Sequence, residues 1–364
     1  MLKIIPYLAV FCWLMFPKSV MAQQSGRVYE FLGLPISARI TALGGYAIPS
    51  LDADLESALF FPSLLRPEVS NFLTLNFVDY FSDINYGTVA FARNFGETGT
   101  FSAALQFIDY GQFIETDIIG QELGNFTAGE YSFMVGWGRP LSERWAIGSN
   151  FKIIFSSLHQ YNSMGLAVDV SLTYFDPDRL IALGLVARNA GRQITHFNPN
   201  QRESLPFDLV FGVSKQLPKA PLRFSLALHN LHRFNLTYTS PLLPPDPNFQ
   251  EQIQQQTAGD RVSEFADKVL RHVVLGAEFL PTRNFTIRVG YNYRRRQELK
   301  VDTRISTVGF SWGFGLKISR FHFSYGRSAY HLAGAPNHIT VSTRISDLFN
   351  WGAPMPAQSE EYEP

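Results

Sequence analysis

From about Asn71 onward the chain breaks into roughly fourteen segments of alternating residues, and the connectors between them run short, long, short, long. In residues 163–174, Met164, Leu166, Val168, Val170, Leu172 and Tyr174 take one face. Gly165, Ala167, Asp169, Ser171 and Thr173 take the other, because successive strand side chains point to opposite sides. Phe285, Ile287, Val289, Tyr291 and Tyr293 alternate in the same way with Thr286, Arg288, Gly290 and Asn292. Leu222, Phe224, Leu226 and Leu228 do so with Arg223, Ser225, Ala227 and His229. In a soluble sandwich the oily face would meet a second sheet; in a membrane barrel it meets lipid.

Three features choose the barrel. The segments are long enough, about ten residues, for tilted strands to cross a bilayer. Aromatics such as Tyr110, Trp137, Trp145, Tyr174, Tyr293 and Tyr325 gather near segment ends, as in an interfacial girdle. The connectors also sort by length. Strands begin near Asn71, Ile84, Thr98, Gly129, Arg144, Ser163, Arg179, Phe207, Pro221, Lys268, Asn284, Thr303, Arg320 and Asn337. Turns such as 95–98, 139–143, 175–178, 217–220 and 280–283 are short and rich in Gly, Pro, Asp and Ser. Connectors 111–128, 191–206 and 230–267 are long. With both termini periplasmic, the short turns are periplasmic and the long loops external; only the short link 81–83 breaks this rule. The fold class is therefore all-β, a 14-stranded antiparallel outer-membrane β-barrel with an N-terminal lumenal plug.

Four stretches divide the chain. Residues 1–22, with Lys3, an apolar run over 4–16 and Val20-Met21-Ala22, read as a signal peptide for Sec export. The only cysteine, Cys12, lies in it. Residues 23–70 alternate poorly and form the plug, with a short helix expected around Asp52, Asp54, Leu55, Glu56, Ala58 and Leu59. Residues 71–349 form the barrel, and 350–364 an acidic, Pro-rich periplasmic tail. Removing Lys3 and Lys18 from the 31 basic residues leaves 29 against 31 acidic ones. That balance gives no general electrostatic case for nucleic acid as a partner.

Candidate chemistry is sparse. Gly309-Phe310-Ser311-Trp312-Gly313 matches a nucleophile elbow in letters but lies within an alternating strand, without the strand–turn–helix such an elbow requires. His229 and His232 have no accompanying ligand set, so no metal or other cofactor is expected. Asp52-Ala53-Asp54-Leu55-Glu56 suits a capped helix start better than a calcium loop, and Gly44-Gly45 suits a backbone bend. No nucleophile, base and orienting group assemble, so the chain reads as a non-enzyme. Arg294, Arg295 and Arg296 fall in an external connector, where guanidinium forks suit lipopolysaccharide phosphates.

The stretches Tyr29-Glu30-Phe31-Leu32-Gly33-Leu34-Pro35-Ile36-Ser37-Ala38-Arg39 and Ala42-Leu43-Gly44-Gly45 resemble the N-terminal signature of the PorV/PorQ group. That group consists of barrels of the type IX secretion system of Bacteroidota, related to FadL-like transporters. The stretches 228–238, 270–281 and 290–299 are similar to its PorQ branch. One departure is Phe61-Pro62-Ser63, where the group usually carries Asn-Pro-Ala/Ser. The resemblance implies a non-catalytic component of the attachment complex in the outer membrane. It would dock a PorZ-like surface protein beside PorU and PorV, next to lipopolysaccharide. The alternatives are a FadL-like transporter of hydrophobic compounds and a PorV-like cargo shuttle. For a docking role, partner-binding candidates lie in the longest connector: Tyr238, Leu242, Pro244, Pro245 and Phe249, with Phe265 on an expected amphipathic helix that also holds Val262, Ala266, Val269 and Leu270.

Overall fold

The computed structural model describes residues 27–198, 202–237, 258–299, 307–330 and 334–349. The leader 1–22 and the tail 350–364 lie outside them. Fourteen antiparallel strands each pair with their sequence neighbours, and the first pairs with the last, so the sheet closes. Closure removes both free edges, which a sheet in lipid must do.

The barrel is taller on one side. β3 (Thr100–Thr116), β4 (Glu122–Pro140), β5 (Trp145–Leu158), β6 (Tyr161–Asp176) and β7 (Ile181–Thr195) form the high wall. β1 (Phe72–Asp79), β2 (Asn85–Asn94), β8 (Asp208–Gln216), β9 (Leu222–Leu228) and β10 (Val273–Phe279) are shorter. So are β11 (Phe285–Asn292), β12 (Phe310–Ile318), β13 (Phe321–Ser328) and β14 (Asn337–Arg344). Alternation behaves as the sequence requires: Asp169, Ser171 and Thr173 of β6 are buried in the lumen, while Val170 and Leu172 are exposed on the outer surface.

Three expectations are corrected. The connector expected over 111–128 is a continuation of β3 and β4 as a hairpin, so β4 starts at Glu122 and not near Gly129. Polar and glycine positions there mask a ladder that backbone hydrogen bonds maintain. β10 starts at Val273 because the expected strand start at Lys268 lies in a helix, α3 (Ala258–Leu270), where the 3.6-residue period prevails. β12 starts at Phe310; the stretch from Thr303 to 306 lies outside the described residues. Two further helices follow strands at the rim: α4 (Tyr293–Leu299) and α5 (Ile345–Phe349).

Inside the ring, residues 27–71 fold as a plug. α1 (Ala38–Ala42) begins where the Ser37 hydroxyl accepts from the Ile40 amide at 3.2 Å, and Gly44 and Gly45 turn the chain sharply at φ 100° and 95°. α2 (Leu55–Phe60) is the short helix expected there, capped by Asp54 through the Glu56 amide at 2.9 Å. The plug packs against the wall in two large apolar clusters and a small one around Ile48. Tyr29, Phe31, Leu32, Tyr86 and Ile108 belong to one large cluster, and Leu55, Leu59, Phe61, Leu65 and Phe72 to the other.

The plug runs the height of the barrel. Val28 donates to the Ser204 carbonyl in the β7–β8 connector, at the long-connector end, whereas Asn71 meets Ile345 at the short-turn end. The first and last described residues therefore lie at opposite ends of the barrel, while β1 starts and β14 finishes at the short-turn end.

Glycines of the wall are the seats of the plug. A Cβ on Gly290 would collide with the backbone of Leu43 and Gly44, and one on Gly326 with the Ala38 carbonyl. Gly138 and Gly148 receive Pro62 in the same way, and Gly212 receives Pro49. Overpacking such a contact costs about 1–3 kcal/mol. Gly290→Ala is therefore expected to lower the unfolding temperature of the purified barrel in detergent by several degrees. Gly124→Ala, at a site with open space around it, should leave the transition unchanged. Equal transitions for the two variants would show that the seat is not tight.

Candidate functional site

The plug is irregular chain at membrane depth, so its backbone groups need partners other than water. Inward-facing polar side chains of the wall supply them. Gln106 of β3 donates to the Phe31 carbonyl at 2.9 Å, and Asn150 of β5 to the Leu59 carbonyl at 2.8 Å. Ser214 of β8 reaches the Pro49 carbonyl at 2.6 Å, Asn292 of β11 the Gly44 carbonyl at 3.1 Å, and Ser311 of β12 the Ala42 carbonyl at 3.1 Å. The Ala38 amide donates to Thr340 of β14 at 2.9 Å. Ser311 thus serves as an anchor within a strand, not as the nucleophile its motif imitates.

Near the short-turn end, charges join plug and wall. The Arg39 guanidinium lies 2.8 Å from Asp54, 3.3 Å from Asp52 and 3.1 Å from Glu278. Arg223 of β9 forks onto Asp52 at 2.5 and 2.9 Å and reaches Glu278 at 2.9 Å, while Arg288 of β11 reaches Glu278 at 3.0 Å. Three guanidiniums thus face the three carboxylates of Asp52, Asp54 and Glu278, which leaves the cluster electrically balanced. Glu56 of α2 stands outside this set and accepts from the Thr74 hydroxyl of β1 at 3.1 Å. A second buried pair, Lys152 with Asp169 at 2.7 Å, ties β5 to β6, and Asn189 accepts from the same ammonium at 2.8 Å.

The sequence-predicted surface residues divide into three sets. Tyr238, Leu242, Pro244, Pro245 and Phe249 lie outside the described residues. Phe265 stands on α3, exposed, with its ring 5.8 Å from that of Phe234; Val262, Val269 and Leu270 are exposed on the same helix. Arg294, Arg295 and Arg296 are carried by α4. Arg294 pairs with Glu298 at 2.7 Å along the helix. Arg295 turns toward the barrel mouth, over the Tyr330 ring at 4.1 Å and hydrogen-bonded to Ser328, and Arg296 covers Gly309. His229 stacks on Tyr46 at 4.4 Å, apart from His232, which stands edge-on to Phe207.

Sequence reasoning missed two groups. The charged lumen cluster was visible only as isolated polar positions of alternating strands, and pairing across the lumen has no sequence spacing to reveal it. The second group is the apolar tip of the β3–β4 hairpin, where Ile114, Ile118, Ile119 and Leu123 are exposed. On the lipid-facing wall, a shallow apolar groove of about 480 Å³ runs across β8–β12 over Ala277, bordered by Phe224, Leu275, Val289 and Tyr291.

A closed fourteen-strand antiparallel barrel with an apolar outer surface is an outer-membrane type of architecture. Among solved structures, the chain is similar to the Ralstonia pickettii toluene transporter TbuX, with a TM-score of 0.50 and 12% identity over 86% of this chain and 99% of that one. The Pseudomonas putida toluene transporter TodX gives 0.47 and 11% over 88% and 98%. A Pseudomonas aeruginosa FadL homologue gives 0.47 and 10% over 85% and 98%. At these identities the likeness is one of fold. No protein-family model and no curated protein matches the sequence.

Breaking a buried ion network by removing one partner costs about 3–5 kcal/mol, whereas an exposed pair contributes about 0–1 kcal/mol. Glu278→Ala, which removes the carboxylate that Arg39, Arg223 and Arg288 share and leaves Arg288 without its ion-pair partner, should markedly lower the unfolding temperature. Arg144→Ala, which removes the exposed partner of Asp178, should be silent. Calorimetry in detergent distinguishes them, and similar small effects would mean that the network does not hold the plug.

Proposed function

We propose that this protein is a non-enzymatic outer-membrane docking platform: a plugged barrel, exported through Sec with loss of residues 1–22, that holds a soluble protein at the cell surface. The observation that supports it is the plug itself, seated in wall glycines and tied by Arg39, Asp52 and Asp54 to Arg223 and Glu278. A lumen filled in this way suits a rigid anchor better than an open conduit, and loops on a rigid scaffold are where recognition usually sits. The PorV/PorQ-like stretches supply the specific form: a component of a type IX attachment complex that docks a PorZ-like protein alongside PorU and PorV. The loop candidates Tyr238, Leu242, Pro244, Pro245, Phe249 and Phe265, and Arg294 to Arg296 toward lipopolysaccharide, belong to this proposal.

A second function, passage of hydrophobic compounds, is favoured by the apolar groove over Ala277. It would require the groove to communicate with the lumen past Leu43 and Gly44, which back the wall at Gly276 and Gly290. A PorV-like cargo shuttle uses the same scaffold and differs in its partner, a cargo sorting domain.

The test is a mild-detergent purification of tagged protein from native membranes, with mass spectrometry of proteins and lipophiles. Docking predicts stoichiometric recovery of a large soluble surface protein, and its loss when residues 244–258 are deleted from a barrel that still folds. Recovery of small lipophiles alone, abolished by Ala277→Trp, would replace docking with transport. Co-purifying sorting domains would point to the shuttle.

A further inference from the structure

The hairpin of β3 and β4 leaves the barrel wall before it ends. β2 pairs with β3 up to Asn85 and Asp109, and β5 pairs with β4 up to Leu158 and Ala128. Beyond that rim, residues 112–116 and 122–127 pair only with each other. A bulge at Tyr110 and Gly111, with Gly111 at φ 81°, marks the departure from the wall. Gln121 and Ile119 donate to the Asp117 carboxylate at 2.8 and 2.9 Å, which fixes the tip as a turn. Phe113 and Phe126 stack across the ribbon with centroids 5.2 Å apart.

This ribbon presents a concentrated apolar tip. Ile118 is fully exposed, Ile119 is 73% exposed, Leu123 65% and Ile114 59%. Single exposed aliphatics are ordinary, but four on one short ribbon form a patch of the kind that binds a partner. Lipid is not the occupant that fits. Residues 111–127 carry Glu115, Asp117 and Glu122 and no Lys or Arg, so an anionic lipid surface would repel them. The same charges suit a protein patch that is apolar at its centre and ringed by Lys and Arg, since complementary rims steer and orient association. The ribbon's two outer edges also offer unpaired backbone groups to an added strand.

We propose that the β3–β4 hairpin is a docking element for a soluble protein outside the outer membrane, taking an apolar patch with a basic rim. The proposal rests on the docking function above and assigns it a surface. The hairpin strands β4 and β3 stand six and seven strands around the ring from β10 and its preceding helix α3, so a partner can be held from two sides of the barrel mouth.

Cys12 is the only cysteine in the chain, so Ile119→Cys places a benzophenone label at the tip, with unaltered protein as the background control. Irradiation in native membranes is expected to yield one major adduct with a soluble protein, at a peptide from an apolar surface bordered by Lys or Arg. The double variant Ile118→Asp, Ile119→Asp should reduce co-purification of that protein at least about tenfold, as loss of central anchors does, with unfolding of the barrel unchanged. If the double variant retains the partner in full, the hairpin assignment is overturned and docking elsewhere on the barrel stands. If the unaltered chain retains no soluble protein, both the assignment and the docking function fail. Adducts with lipid or lipopolysaccharide alone would also overturn the proposal.

Discussion

Every buried backbone amide and carbonyl must find a partner where water is absent, and the rest of this structure follows from that requirement. In the wall the requirement is met by closure, with β1 hydrogen-bonded to β14. In the plug, which has little regular structure, it is met from outside by the wall. Gln106, Asn150, Ser214, Asn292 and Ser311 spend their polar groups on plug carbonyls. The small, polar inner faces that mark the strands in the sequence are therefore one half of an interface whose other half is residues 27–71.

Shape and charge make that interface specific. Glycine seats let the plug backbone approach the wall closely, and the balanced cluster around Glu278 fixes one orientation of α1 and α2 against β9, β10 and β11. Phe61 shows how a bulky side chain is accommodated: it is fully buried beside Gly184 and Gly212, and the nearby Ser63 amide donates to the Ser171 hydroxyl at 2.7 Å. Above the rim rise the β3–β4 hairpin on the tall side and the helices α3 and α4 on the low side.

The periodic part of the molecule was legible before any coordinates. Residues 163–174 and 285–292 state their inner and outer faces outright, and most strand starts fell within a few residues. At Lys268 an amphipathic helix intervened, at Gly129 a hairpin whose tip residues do not alternate did, and β12 starts at Phe310 and not near Thr303. Asp54 also declared itself as a helix cap, because capping is a local contact.

What the sequence determined by itself is the all-β alternation, the number of crossings, the side on which turns are short, and the presence of a non-alternating segment ahead of the barrel. These are short-range properties, carried by the two-residue period and by turn chemistry. Tertiary structure alone decided that Arg39 meets Glu278 across the lumen, that Val28 of the plug sits at the long-connector end, and that Ile118 and Ile119 stand exposed beyond the barrel wall. Those outcomes depend on which distant residues closure brings together and on how far each pair of strands extends. Neither quantity has a sequence period, so neither can be read along the chain.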